Sequence, residues 1–218
     1  MIASYNQEAL GDVLVIILKP NAQKQSITST ESVTRIQDTD TDIATGFNFF
    51  GIGELLNLTN QKGQITLTSE QINKLNKVLS ENGFDDQLVL ESNKLVIGRV
   101  VEMTVHPDSD HLHITQTEVG QGKTLQIVSG SPNMRENIFV VVAQPGTMMP
   151  SGAIIWDGAL RGVDSSGMIV SGRELHLPQA PDKPGALVLP NDFGKVGEVF
   201  DFEKANNLYT DHLVDLDY

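Results

Sequence analysis

The sequence predicts an α+β first half followed by an all-β second half closed into a small barrel of the OB type. Three observations carry this. Residues 66–84, "TLTSEQINKLNKVLSENGF", place Ile72, Leu75, Val78 and Leu79 on one helical face, while the segments before them are β-branched runs. From Leu95 onward five short β runs follow at close spacing, separated by Pro, Gly, Asp and Ser clusters. The chain has 218 residues, 39% hydrophobic and 20% charged, which is ordinary globular composition and enough to bury a core in each half.

Taken in order, "DVLVIILKP" reads as a buried strand ended by Pro20. "ESVTRIQ" and "DIATGFNFFGI" read as two strands joined by the turn "DTDTD". Asp38, Asp40 and Asp42 have the spacing of a calcium loop, but Ile43 stands where the loop needs glycine and Phe49 where it needs a bidentate acid. A solvated hairpin turn is the simpler reading. The helix of residues 68–83 starts on a capping box, Thr68 with Gln71, and stops at Gly83. The polar stretch 85–94 is the natural boundary, giving a small α+β domain over 1–94, a barrel over 95–202 and an acidic tail over 203–218.

In the second half the strands are "LVIGRVVEMTV", "LHITQTEV", "TLQIVSG", "IFVVVAQPG" and "AIIWDGAL", with an irregular or helical insert at "SPNMREN". "GQGK" at 120–123 is a hairpin turn rather than half of a phosphate-binding loop, and "SGSPN" at 129–133 turns the chain at the barrel edge. Trp156, the one tryptophan, reads as core rather than as a platform for stacking bases.

Composition excludes several functions. With no cysteine there is no disulfide framework, thiolate zinc site, iron-sulfur cluster or thiol nucleophile. The opening "MIASYNQEAL" lacks a basic leader, and its nearest apolar run, Val13 to Leu18, falls far short of the ~20 residues of a membrane span, so a cytoplasmic protein is expected. Charge counts against any polyanion ligand: 15 basic residues face 28 acidic ones, a net of -13. Residues 95–202 alone hold 7 basic and 12 acidic side chains. No nucleophile elbow, P-loop or recognisable carboxylate pair is present, so no enzyme, no catalytic residue and no cofactor are expected.

The stretch "HPDSDHLHI", residues 106–114, gathers three of the five histidines with two aspartates. Metal ligation would require His106, Asp108 or Asp110, and His111 or His113 to converge. The spacing matches no metalloenzyme motif, and proline with two aspartates between strands is turn chemistry, so no metal site is expected.

Read as a whole, "VIGRVVEMTVHPDSDHLHITQTEVG" resembles the opening of the EMAP-type tRNA-binding domain. "LQIVSGSPNMRENIFVVVAQPGTMMPSG" and "GALRGVDSSGMIVSGRELHLP" follow in that family's order, as near the start of the bacterial phenylalanyl-tRNA synthetase β subunit and in free-standing YtpR-type proteins. The first half is similar to the extra N-terminal domain of the YtpR type. The resemblance implies an OB barrel that binds the folded outer corner of tRNA by backbone and shape, accessory to translation or aminoacylation. It implies tRNA as partner, with a synthetase or another translation protein as a further one, and leaves the oligomeric state open.

Carried onto this chain, the RNA-binding patch centres on Arg161, Ser165 and Met168, with Gly162 and Gly167 allowing close backbone approach. Arg173, Lys123 and Arg99 are the further basic candidates. His111, a further RNA-binding candidate, occupies a position where the family often has lysine, which weakens one cationic contact. The rival expectation, drawn from the acidic balance, is a protein-interaction module on the same barrel with weak or no RNA binding.

Overall fold

The computed structural model describes residues 1–214 and 216, mostly β structure with few helices. The chain divides into two compact units, Met1–Ser92 and Asn93–Tyr218. Asp215, Asp217 and Tyr218 of the acidic tail lie outside the described residues.

The first unit runs β1 (Ile2–Asn6), α1 (Gln7–Leu10), β2 (Val13–Ile17), β3 (Gln25–Ser29), β4 (Val33–Asp38), β5 (Ala44–Phe50), α2 (Gly53–Leu56), β6 (Lys62–Ile65) and α3 (Ser69–Glu81). Its strands form one antiparallel sheet in the order β3-β4-β5-β2-β1-β6. β2, β4, β5 and α3 stand where the hydrophobic patterning puts them. β1, β3 and β6 were not legible, because each is short and rich in polar residues. Tyr5, Leu14, Ile16, Phe47 and Phe49 of the sheet share a core with Leu56, Ile72, Leu75 and Leu79. The capping box forms as its residues require: Thr68 Oγ1 accepts the Gln71 N–H, and Gln71 Oε1 accepts the Thr68 N–H.

The aspartates of the β4–β5 turn have structural work. Asp38 Oδ1 accepts the amides of Asp40 and Thr41, which closes the turn. Asp42 accepts from Arg35 Nη1 at 3.2 Å, while Asp86 takes Arg35 Nε at 2.7 Å and Nη2 at 3.2 Å. This forked pairing raises the affinity of the guanidinium for its proton above the ordinary value.

The second unit comprises β7 (Leu95–Val105), β8 (His113–Glu118), β9 (Thr124–Ser129), β10 (Phe139–Ala143), β11 (Thr147–Met148), β12 (Ile154–Ile155), β13 (Asp157–Leu160), β14 (Val163–Ser166), β15 (Met168–Ile169), β16 (Val188–Leu189) and α4 (Phe202–Ala205). The main sheet follows the order β15-β10-β7-β8-β9, with β16 also on β10. β7 serves two neighbours: residues 95–99 pair with β10 and residues 99–105 with β8. A bulge between Val100 and Glu102 marks the change, and such irregularities bend and twist a strand.

The hydrogen-bonded path does not close into a barrel. Two features explain the difference. The single run "AIIWDGAL" splits at Trp156 into β12 and β13, which belong to different hairpins. The outer edge of β9 then meets β14 through side chains, Gln126 Nε2 to Asp164 O at 2.8 Å and Val128 N to Ser165 Oγ at 3.0 Å, instead of through a backbone ladder. The "SPNMREN" insert is irregular rather than helical. Asn133 pins it by exchanging two hydrogen bonds with the Ala186 backbone, at 2.8 and 2.9 Å. Ala205, Leu208 and Tyr209, in the acidic segment after residue 202, are buried in the unit's core with Leu95, Ile97, Phe193 and Phe200. Among the described residues no helix is long and apolar enough to cross a membrane.

The α3 packing predicts an ordering of effects in urea unfolding. Leu75→Ala removes a fully buried side chain and should cost about 2–5 kcal/mol. Thr68→Ala removes only the cap and should cost about 1 kcal/mol. Equal losses would contradict the description of this core.

Candidate nucleic-acid interface

The histidine-rich loop is organised around His106, whose side chain is only 2% exposed. Its Nδ1 accepts the Asp108 backbone N–H at 3.0 Å, so that nitrogen carries no proton. Its Nε2 lies 3.1 Å from Leu160 O, and a carbonyl can only accept, so Nε2 carries the proton. The two bonds together select the neutral Nε2–H tautomer and leave the ring no lone pair for a metal. His106 N–H closes the loop base on Leu112 O at 3.0 Å. His111 and Asp110 face solvent and pair at 2.9 Å, and the hydrogen bond from His111 holds the Asp110 carboxyl below the ordinary carboxylate value. Among the described residues no group of three or more His, Asp or Glu side chains is arranged to hold a metal.

Leu160, the carbonyl partner of His106, ends β13, and β14 begins at Val163 directly opposite it. The hairpin therefore turns on two residues, Arg161 at φ +45° and Gly162 at φ +82°. Two positive φ values are what a type I′ turn needs to match strand twist. Gly162 adopts that backbone freely, whereas Arg161 is held there at a cost of order 1 kcal/mol. What holds it is visible: Arg161 Nη1 donates to Asp108 O at 2.8 Å while the side chain stays exposed. Loop 106–111 and the hairpin tip are thus tied twice, by His106 to Leu160 and by Arg161 to Asp108.

Ser165, on β14, is 5% exposed, and its oxygen accepts the β9 edge amide of Val128. Its hydroxyl is spent on docking β14. Gly167 sits at φ +101°, and a side chain there would come within 2.7 Å of Ala143 O, so only glycine lets β15 approach β10. The approach that Gly167 permits is internal to the fold.

Beside the hairpin lies a cleft of about 520 Å³, lined among others by Trp156, Ser131, Ser165, Met168, Arg173 and Glu174. Leu160, next to Arg161, is also in its wall. Trp156 is partly exposed there, which corrects the expectation that it fills the core; its place between two hairpins turns it outward. Arg173 is exposed and pairs with Asp182 at 2.7 Å, which raises its proton affinity. Glu174 Oε2 accepts both the Ser171 N–H and hydroxyl at 2.7 Å.

The structure thus brings Ser165, Met168 and Arg173 into one cleft, with Arg161 and His111 at the adjoining loop and hairpin. Arg99 and Lys123 are elsewhere. Strand register sets Arg99 opposite Glu118 and Val105 opposite His113, so six residues of β7, about 20 Å, separate Arg99 from the His106 loop. Lys123 closes the β8–β9 turn at that same far end, its N–H on Gly120 O at 2.9 Å. Arg99 donates to Asn137 Oδ1 at 2.9 Å. Sequence reasoning missed His106 as a tie and Trp156 as a cleft wall. The signal for the first was a His-Pro step with an aspartate two positions after the histidine.

If His106 is the tie described, His106→Ala orphans an amide and a carbonyl and should lower stability by about 1–3 kcal/mol in thermal unfolding. His106→Asn, whose side-chain oxygen can still take the Asp108 N–H, should lose less. Long-range proton–nitrogen correlation on the imidazole should show the proton on Nε2. A proton on Nδ1, or an alanine variant that melts like the parent, would remove the tie from the account.

Residues 95–199 match a family model described as "Putative tRNA binding domain", and residues 20–91 match one described as a domain of unknown function. The chain is 40% identical over 204 residues to the "Putative tRNA-binding protein YtpR" of Bacillus subtilis, covering 93% of this chain and 100% of that one. It is 35% identical over 158 residues to the phenylalanine–tRNA ligase beta subunit of Sulfurimonas denitrificans, covering 70% of this chain but 20% of the ligase subunit. The corresponding subunit of Nitratidesulfovibrio vulgaris is 46% identical over 99 residues, 45% of this chain and 12% of that one. The first model spans the His106 loop, the Arg161 hairpin and the cleft, and the similarity to the ligases is to a small part of each subunit, away from any whole enzyme. Since the match to YtpR extends over the whole of that relative, the chain belongs to the YtpR family.

Proposed function

We propose that this chain binds tRNA through residues 95–202, acting as an OB-type domain that recognises the folded shape of the molecule, in a role accessory to translation or aminoacylation. It is a binding protein and not an enzyme. The observation that carries the reading is the hairpin tip. An arginine held exposed at positive φ, in a type I′ turn tied to a neighbouring loop, is strained backbone retained where it presents a cation. The bent β7 strand, shared between β10 and β8, supports an OB-like arrangement, as does the family match over residues 95–199. Residues 1–94 have no assigned role in this reading, and the acidic segment after residue 202 packs into the second unit's core through Ala205, Leu208 and Tyr209.

The acidic balance shapes the mode of binding. With 28 acidic residues in the chain, broad neutralisation of phosphates is not available. Arg161 contacts one phosphate, Met168 packs against a ribose or base, and Ser165 keeps β14 in place rather than touching RNA. Arg173 and His111 flank that contact. Arg99 and Lys123, some 20 Å away along β7, reach only a ligand that covers the length of the sheet.

Filter binding of tRNA to the whole protein tests this. Arg161→Ala should weaken binding by about 1 kcal/mol or more and flatten the salt dependence by about one unit. Met168→Ala should weaken binding with the slope unchanged, and Lys123→Ala should change neither by a comparable amount. Folded Arg161 and Met168 variants that bind like the parent would move the site away from this face. A parent that binds no tRNA even at low salt would favour a protein partner instead.

A further inference from the structure

The cleft beside the hairpin has a use that backbone and shape recognition leave open. Its volume, about 520 Å³, lies within the ~300–1,000 Å³ range of small-ligand sites. Its lining includes the flat indole of Trp156, the thioether of Met168 and the aliphatic Ile154 and Ile155. Arg173 and Glu174, one charge of each sign, line it as well. Glu174 makes both of its hydrogen bonds to Ser171 through Oε2, and among the described residues Oε1 has no partner.

These features favour one ligand chemistry. A phosphate would meet the Glu174 carboxylate in the lining and find Arg173 already paired with Asp182. A planar, uncharged heterocycle meets no such penalty: it stacks on the indole, packs on the thioether and offers an exocyclic amino group to the open Glu174 oxygen. We infer that the cleft takes one unstacked nucleobase of the bound RNA, with Trp156 as the stacking platform and Glu174 as acceptor for its amino group. The inference rests on the tRNA-binding reading and adds to it a base contact that the shape-only mode lacks. Stacking contributes without charge, so it supplies affinity where the chain's acidity denies it. An amino group is present on adenine, cytosine and guanine and absent from uracil, which gives the cleft a preference.

Trp156 is the single tryptophan of the chain, so tryptophan emission, excited selectively over tyrosine, reports on this cleft alone. Titration of the whole protein with tRNA should quench or shift that emission in step with binding. Trp156→Ala should weaken tRNA binding about fivefold to a hundredfold, the range for loss of one stacked base, with the salt slope unchanged. Trp156→Phe should retain most of the affinity. Both variants must melt like the parent; if the alanine protein does not fold, the phenylalanine variant and the emission titration decide. In a parallel arm, adenosine 5′-monophosphate at millimolar concentration should perturb the emission more than uridine 5′-monophosphate, and Glu174→Gln should abolish that difference. If tRNA binds with the emission unchanged, or folded Trp156→Ala binds like the parent, the cleft does not hold a base and the tRNA-binding reading stands without it. If tRNA fails to bind while the adenosine nucleotide still perturbs the emission, the tRNA-binding reading fails and the cleft remains a base site. No tRNA binding together with no nucleotide response overturns both.

Discussion

One buried imidazole couples the parts of the candidate interface. His106 uses both ring nitrogens, one on the Asp108 amide of its own loop and one on the Leu160 carbonyl of the β13–β14 hairpin. Neither bond is large alone, since a net hydrogen bond contributes about 0.5–1.5 kcal/mol. Their value lies in geometry. The loop fixes Asp108, Asp108 receives Arg161, and Arg161 can then occupy a backbone conformation that an isolated hairpin would disfavour. The same hairpin carries Ser165, which docks on β9, and is followed through Gly167 by β15, which enters the main sheet. Loop, hairpin and cleft are therefore one mechanical unit, and the cluster that looks most like a metal site in the sequence is its fastening.

Electrostatics pull against the family's ligand, and the structure shows how a local arrangement can act within an unfavourable total. Surface charges farther apart than the Debye length, about 8 Å at physiological ionic strength, are largely screened from one another. An exposed arginine at the tip of a hairpin acts on its immediate surroundings more than the distant acids do, and of the nearby acids Asp110 is close enough to interact with it. The cleft beside it offers contacts of another kind, through an indole, a thioether and the edge of a carboxylate, whose strength does not depend on net charge.

What the sequence made legible follows period and punctuation. The α3 helix, its capping box and the strands β2, β4, β5 and β7 to β10 could be read because their apolar positions recur at the right spacing and turn residues bound them. β1 and β6 were illegible because short polar strands gain their stability from neighbours in the sheet rather than from their own pattern. The barrel was read as closed because a continuous apolar run looks like one strand; nothing in "AIIWDGAL" shows that the chain breaks at Trp156 and leaves the indole at a cleft. The family resemblance singles out Arg161, Met168 and Ser165, but only the structure separates an exposed arginine from a serine whose hydroxyl is already spent. The sequence does not show that Arg99 and Lys123 lie at the opposite end of β7 from the His106 loop, because only strand register sets that separation.

The central claim is that this acidic chain holds tRNA through very few phosphates, with Arg161 the main cationic contact and shape and stacking supplying the rest. The slope of log affinity against log salt for the unmodified protein measures the number of phosphates engaged most directly, at roughly 0.7–0.9 per phosphate. A shallow slope, between about -1 and -2, is the predicted result. A slope of about -4 or steeper would require several phosphates to be neutralised at once, and would contradict the account.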